Sequence, residues 1–179
     1  MKVIITVIIV LFGISFLIAI LYALYMGSKR EQYPKVDFAR FEKENNNVKE
    51  VETLINKAIK GVNGWMWLAT AFMALHYFMN FWSIVFMLLN IIVVAYQVEN
   101  NKEILLFLVS GSLLFTCIDL WINTKEKSNM FHRHWFKTSA KTKEYIVAFA
   151  KAETFDEICK LAKKFNEVIY EENKKVKFL

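Results

Sequence analysis

An aspartate stands inside a stretch of the chain that otherwise has the composition of a membrane span. The stretch runs from Ser112 to Asn123 (SLLFTCIDLWIN), and Asp119 is its only charged residue. A carboxylate in a membrane segment costs about 2.5–3.5 kcal/mol on insertion scales, so it usually faces the interior of a helix bundle and serves a function. If several copies assembled, a ring of Asp119 carboxylates would favour cations in a pore.

Polar residues recur at helical spacing around Asp119 and again in a second stripe upstream. Ser112, Thr116, Asp119 and Asn123 are spaced 4, 3 and 4 apart, which places them on one helix face. In the second stripe the spacings are 4, 3, 7 and 7. Its members are His76, Asn80, Ser83, Asn90 and Gln97. Apart from Gln97, we take all of these residues as candidates for lining a pore.

The two stripes meet if their segments form a helical hairpin. A fold about residues 100–101 pairs residue i with about residue 201 − i. The predicted levels are Asp119 with Asn80 and Ser83, and Ser112 with Asn90. The polar groups would therefore lie at matching depths in the membrane.

Three interpretations of the stripes remain open. Ser, Thr and Asn can bond across helices and hold a bundle together, each contributing about 0.6–2 kcal/mol. Alternatively, several copies line a water-filled path with these side chains. In the third, Asp119 lies near the interface and pairs locally with Lys125 or a neighbour.

A basic strip follows the last apolar segment. Arg133, Lys137 and Lys141 recur every four residues, so they share one side of a helix. Such a strip is commonly solvated or lipid-facing. The alternative is a binding site for an anionic ligand such as a nucleotide or an oligonucleotide.

The sequence offers no pattern that is typical of an enzyme. There is no Gly-rich phosphate loop and no spacing that suggests a catalytic pair, so we expect no catalytic residues and no cofactor. His132 and His134 are two apart, which points their rings to different sides of a helix and disfavours a metal site. The two cysteines, Cys117 and Cys159, are too isolated to suggest a disulfide framework or a zinc site.

Three apolar segments are long enough to cross a bilayer. The 179-residue chain is 56% hydrophobic and has a mean hydropathy of +0.30, values typical of a helical membrane protein. A span needs about 20 apolar residues. The predicted spans are Met1–Met26, Tyr77–Gln97 with Trp65–Tyr77 extending it, and Ile104–Asn123, the last two joined by a short turn at Val98–Glu103.

Basic residues predict the orientation. Eight Lys or Arg lie between the first and second spans, and thirteen follow the third, whereas the other side has only Lys2 and Lys102. Because cytoplasmic loops carry the excess of positive charge, the N-terminus should be outside and the C-terminal region cytosolic.

Amphipathic helices are predicted outside the spans. Thr154 and Glu157 have the spacing of a capping box that opens the last of them. Their apolar faces must be covered either by neighbouring helices or by other copies of the chain, and of the two we expect the copies. The apolar positions are Val48, Val51, Ile55, Ala58, Ile59 and Val62 in the first helix, Phe131, Trp135, Thr142, Ile146 and Phe149 in the second, and Phe155, Ile158, Leu161, Phe165, Val168 and Ile169 in the third.

The expected fold is an all-α membrane protein with an N-terminal transmembrane helix, a transmembrane helical hairpin and cytosolic amphipathic helices. The predicted regions are 1–28 for the first span, 29–64 for linker helices after a polar break at Asn45–Asn47, 65–124 for the hairpin and 125–179 for the C-terminal helices. The lipid bilayer is the expected environment, and a homo-oligomer, with a tetramer as its order, is the expected assembly.

The layout resembles the SLATT family. The join Ile122–Ala150 (INTKEKSNMFHRHWFKTSAKTKEYIVAFA) and the trailing Phe155–Glu172 (FDEICKLAKKFNEVIYEE) are similar to that family's basic, aromatic helix leaving the membrane and its second helix with acidic residues at the end. The resemblance covers about Val48 to Glu172. The first span is a departure, since the family core has two spans.

The resemblance implies a function as well as a layout. SLATT proteins are regarded as pore-forming effectors of bacterial antiphage systems, switched by a nucleotide signal from a partner nucleotidyltransferase. By analogy, Asp119 and the polar stripes belong to the pore, and the basic helices to assembly or ligand sensing. The alternatives are a non-conducting membrane adaptor that recruits a cytosolic partner and a phage-type holin.

Overall fold

The protein is an all-α membrane protein. The computed structural model describes residues 2–29, 33–41, 47–95 and 102–176, and within these ranges it contains helices and no strand. Three helical stretches are long and apolar enough to cross a membrane. The helices are α1 (Lys2–Lys29), α2 (Val48–Ala95), α3 (Lys102–Ile122), α4 (Thr124–Lys151) and α5 (Phe155–Lys174), with a short 3-10 helix at Ala39–Phe41.

The chain divides into two compact units. The membrane unit consists of Met1–Gly27 and Ala69–Asn129, and the amphipathic unit consists of Ser28–Leu68 and Met130–Leu179. Gln97, residues 98–101 of the predicted hairpin turn and Asn45–Asn46 of the predicted polar break lie outside the described residues, whereas Lys102 and Glu103 of that turn begin α3. Helix α2 is continuous over 48 residues, where the sequence suggested an amphipathic helix followed by a separate span.

Aromatic rings hold α1 against α2 in the membrane unit. The ring centroid of Phe12 lies 5.1 Å from that of Phe78 and 5.2 Å from that of Trp82. The indole N–H of Trp82 donates to the hydroxyl of Ser15 over 2.7 Å, which satisfies the one polar atom of this buried side chain. The N-terminal span is therefore packed on the hairpin by specific contacts.

Helices α2 and α3 form the antiparallel hairpin that the sequence predicts. The Phe86 ring stacks on Phe115, with centroids 5.7 Å apart. It also fills the space over Gly111, where an added Cβ would lie 3.2 Å from the ring. The absence of a side chain at Gly111 lets the Phe86 ring lie against the α3 backbone, and this contact fixes how the two helices are aligned along their length.

The amphipathic unit buries the three predicted apolar faces against one another. Ile55, Phe149, Ile158 and Phe165 are almost fully buried in a shared core. The sequence-based periodicity is thus confirmed for α2, α4 and α5. The expectation that other copies of the chain cover these faces is wrong, because one chain covers them itself.

Residues 33–38 form an extended segment that completes this core and is hydrogen-bonded to helix α2. The amide of Asn56 bonds both the N–H and the C=O of Val36, at 2.9 and 3.1 Å, and Asn63 does the same for Tyr33. Each amide acts as a neighbouring strand would, satisfying a backbone donor and acceptor. Residues 33–38 are therefore an ordered extended segment that ends at the core residue Phe38.

Side chains close the ends of α4 and α5. Thr154 and Glu157 form the predicted capping box, with Glu157 N–H donating to the Thr154 hydroxyl. The Arg40 guanidinium donates to the carbonyls of Phe149 and Ala152 at the end of α4. These bonds satisfy backbone groups that have no partner within a helix.

Candidate functional site

Asp119 pairs with His76 inside the hairpin. The Nδ1 of His76 lies 2.9 Å from Oδ2 of Asp119 and 3.2 Å from Oδ1. The two side chains keep only 19% and 14% of their surface exposed. The Nδ2 of Asn80 also lies 3.0 Å from the same Nδ1. The sequence placed His76 and Asp119 on facing stripes but did not identify them as partners.

Two further donors surround the Asp119 carboxylate. The amide of Asn80 lies 3.4 Å from Oδ2 and also donates to the backbone carbonyl of His76 over 2.8 Å. The hydroxyl of Thr124 donates to Oδ1. Of the local partners expected for Asp119, the structure contains the neighbour Thr124 and not Lys125, and two residues of α2 supply the other donors.

A hydroxyl cluster lies deeper along the same seam. The Ser83 hydroxyl is 3.1 Å from that of Ser112 and 2.9 Å from that of Thr116. Thr116 also donates to the carbonyl of Ser112 over 3.0 Å. Ser112 is therefore level with Ser83, and the prediction that it lies level with Asn90 is wrong. The packing of Phe86 over Gly111 sets a register that a count from the turn could not supply.

Two predicted pore-lining residues stand apart from these contacts. The Oδ1 of Asn90 is buried without a hydrogen-bond partner. Asn123 has a φ of 54°, the left-handed conformation that asparagine tolerates better than most residues, and its amide donates to Glu126. Asn123 therefore marks the break between α3 and α4.

Part of the site forms a polar edge on the surface of the hairpin. We use this name for Asn80, Thr116 and Asp119, of which the first two are exposed. Phe78, which contacts α1, lies two residues from Asn80, and this spacing corresponds to about 200° around a helix. The polar edge thus faces away from α1.

The basic strip is only partly free in the structure. Arg133 and Lys137 are exposed on α4. The ammonium of Lys141 instead lies 2.8 Å from Oε1 of Glu172, as does that of Lys175. Hydrogen bonds from Lys141 and then Lys175 lower the pKa of Glu172 to about 2. Among the described residues, the strip therefore presents two cations without an ion-pair partner, where the sequence suggested three.

The two histidines of the HRH motif have different surroundings. His134 is buried, and its Nε2 lies 3.0 Å from Oδ1 of Asn173, which also accepts from the indole of Trp65. His132 is exposed and packs near the ring of Trp135. Among the described residues, no group of three or more His, Cys, Asp or Glu side chains could hold a metal ion.

Comparison of the chain with protein-family profiles, curated proteins and solved structures gave no match. The SLATT assignment therefore stays a prediction that rests on layout.

Proposed function

We propose that the protein is a pore-forming membrane effector, a homo-oligomeric ion channel. The observation that carries the proposal is the polar edge of Asn80, Thr116 and Asp119 on a transmembrane hairpin. Polar side chains in a span are costly against lipid and are normally covered by protein or by water in a cavity. Copies of the hairpin that turn this edge toward a common axis would provide both.

Asp119 is the proposed charge of the pore. A ring of carboxylates attracts cations and repels anions. His76 and Asn80 hold the carboxylate at a fixed position, as a selectivity element requires. The hydroxyl cluster of Ser83, Ser112 and Thr116 holds the two helices of each copy together.

The cellular setting of the proposal comes from charge bias and from the SLATT resemblance. The excess of Lys and Arg supports an N-terminus outside and an amphipathic unit in the cytosol. The SLATT resemblance supports a bacterial inner membrane. A nucleotide-derived or protein signal on the cytosolic side would open the channel. Arg133 and Lys137 are the exposed candidates for contact with an anionic signal. Opening would depolarise an infected cell and cause death or growth arrest.

The test is potassium flux from liposomes that carry the purified protein. Asp119→Asn, which removes the charge and keeps the shape, should change the flux, and Asp119→Lys should reverse or abolish cation preference. Ser110→Ala, on an exposed position of the same helix, is the matched control and should conduct as the unaltered protein does. Selectivity that is unchanged in both Asp119 variants contradicts the assigned role.

A non-conducting adaptor is the second candidate. The observation in its favour is that the polar groups of the hairpin already bond within one chain, so no pore is needed to satisfy them. An adaptor should keep its cellular activity in Asp119→Asn and lose it when exposed residues of the amphipathic unit, such as Leu54 or Tyr170, are changed. Release of large dyes together with ions would instead indicate a holin.

A further inference from the structure

His76 is the only histidine of the membrane unit. The other two histidines of the chain, His132 and His134, belong to the amphipathic unit. Histidine is the side chain whose unperturbed change of charge falls between pH 5 and 8. A change of charge in the membrane unit within that range is therefore expected at His76, which is also the residue in contact with Asp119.

The Nδ1 atom of His76 lies between a hydrogen-bond acceptor and a hydrogen-bond donor. The Oδ2 of Asp119 is 2.9 Å away and accepts, whereas the Nδ2 of Asn80 is 3.0 Å away and donates. A proton on Nδ1 satisfies the carboxylate but opposes the amide N–H, and a bare Nδ1 does the reverse. Neither neutral form of the ring satisfies both neighbours, so these contacts do not hold the ring in a single protonation state.

The helices around His76 carry few other ionisable side chains. On the adjacent turns of α2, α3 and α4 these are Tyr77, Cys117, Asp119, Lys125, Glu126 and Lys127. The reference titrations of these residue types lie outside the range between pH 5 and 8. Helix α1 packs on α2 through the ring of Phe12, and its residues 6–27 include no charged side chain. Histidine is thus the only residue type around the pair that changes charge in this range.

The net charge of the Asp119 site depends on the protonation of His76. With a neutral imidazole the pair carries the single negative charge of the carboxylate, and with an imidazolium it carries no net charge. Because the two groups are only 2.9 Å apart, their fields nearly cancel at an ion that passes several ångströms away. A carboxylate with a cationic partner therefore no longer favours cations over anions.

Protons and permeating ions would reach the pair from the same surface. The side chains of His76 and Asp119 keep 19% and 14% of their surface exposed. Asn80, which contacts both of them, is exposed on the polar edge. The pair is therefore shielded from bulk solvent without being sealed from it.

We propose that His76 sets the ion preference of the Asp119 site through its own protonation. With a neutral ring the carboxylate is uncompensated and the site selects cations, whereas with a protonated ring the site is neutral and the preference is lost. This inference rests on the proposed function, and it deepens that function by naming the residue that determines specificity. His76 acts through Asp119 and not on the permeating ion itself.

Ion selectivity at two pH values tests this role. The full chain is placed in planar bilayers with a gradient of potassium chloride, and the permeability ratio of potassium to chloride is taken from the reversal potential, with the same pH on both sides. For the unaltered protein we expect the ratio to fall by about threefold or more from pH 8 to pH 5. His76→Gln keeps a polar side chain that cannot gain a proton, so its ratio should stay the same at both pH values.

Three further variants separate this role from a merely structural one. Asp119→Asn leaves a neutral site at pH 8 and a cationic one at pH 5, so it should come to prefer chloride at pH 5. The double variant His76→Gln/Asp119→Asn should be unselective at both pH values. His132→Gln is the matched control, since it removes an exposed histidine of the amphipathic unit and should respond to pH as the unaltered protein does.

Two outcomes refute the role of His76 and leave the proposed channel in place. One is a ratio of the unaltered protein that is equal at pH 8 and pH 5, and the other is a His76→Gln variant that still loses its preference at pH 5. If Asp119→Asn changes the ratio at neither pH, the assigned role of Asp119 fails as well. A protein that conducts no ions under any signal contradicts the proposed function and this inference with it.

The strength of the pair provides a readout that needs no conduction. A contact between an imidazolium and a carboxylate is stronger than one in which only the carboxylate is charged. The coupling between His76→Gln and Asp119→Asn in the free energy of unfolding should therefore be larger at pH 5 than at pH 8. Equal coupling at the two pH values would show that the ring does not change charge beside Asp119, and the inference would be refuted.

Discussion

From the contact between His76 and Asp119 we predict how much this pair stabilises the membrane unit. Polar pairs between transmembrane helices contribute about 0.6 kcal/mol on average and up to about 1.7 kcal/mol. Charge-assisted hydrogen bonds are about twice as strong as neutral ones. For a contact of 2.9 Å between side chains that are less than one-fifth exposed, we expect a coupling free energy of about 1–2 kcal/mol.

The two single variants should lose different amounts of stability. His76→Ala leaves the Asp119 carboxylate with only Asn80 and Thr124, and an uncompensated charge buried in protein costs about 3–5 kcal/mol. Partial exposure reduces this, so we expect a loss of about 2 kcal/mol. Asp119→Ala leaves a neutral imidazole, for which a loss of about 1 kcal/mol is expected.

A double-mutant cycle measures these values. The free energy of unfolding of the two single variants and of the double variant is obtained from reversible unfolding in mixed detergent micelles, followed by tryptophan fluorescence. Ser110→Ala serves as the control for a neutral substitution in the same helix. Independent sites are additive within about 0.3–0.5 kcal/mol, so a coupling below that range would refute the contact as a stabilising pair.

Three further predictions concern single side chains. Because the pKa of Glu172 is about 2 when folded against an ordinary 4.5, its ion pairs stabilise the fold above about pH 4.5 and cease to do so as pH falls toward 2. Glu172→Gln should therefore lower the free energy of unfolding by about 1–2 kcal/mol at pH 7, a loss that the solvent exposure of Lys141 limits. The difference in stability from the unaltered protein should vanish on acid titration. Asn90→Leu should raise the melting temperature in detergent, since it removes a buried carbonyl oxygen that lacks a partner. Gly111→Ala should lower it by displacing the packed ring of Phe86, and an unchanged melting temperature would contradict the close approach.

Hydrophobic periodicity was enough to predict most of the elements. The buried positions Ile55, Phe149 and Phe165 follow spacings that only a helix brings to one face, and the capping box at Thr154 marks the start of α5. These are local properties, so a sequence carries them directly. The number of spans follows from segment length in the same way.

The register of the hairpin was not predictable, and with it the partner of Asp119. A count from the turn placed Asp119 level with Asn80, as observed, but placed Ser112 level with Asn90, about two helical turns from its observed partner Ser83. The length of a turn does not say how two helices slide against each other. The ring of Phe86 over Gly111 decides this, and such a contact depends on tertiary packing. The sequence did offer one signal for the partner. His76 is the one histidine and Asp119 the one acidic residue in the predicted spans and their extension, so the two could have been expected to pair.

Side-chain contacts between distant elements were also not predicted from the sequence. Asn56 and Asn63 lie seven residues apart on α2 and bind the extended segment, but on the sequence they read as ordinary surface amides. Lys141 reads as one member of a basic strip until Glu172 is placed beside it. Non-local contacts of this kind produce no periodic pattern in the sequence, so periodicity could not predict them.

The central claim is that Asp119 lines a cation-conducting path. The most direct test is potassium flux from liposomes that contain the purified protein, with Asp119→Asn and Ser110→Ala measured in parallel at equal protein content. We expect flux that Asp119→Asn alters and Ser110→Ala leaves unchanged. Flux that is identical in all three proteins, with unaltered preference for potassium over chloride, would contradict the claim.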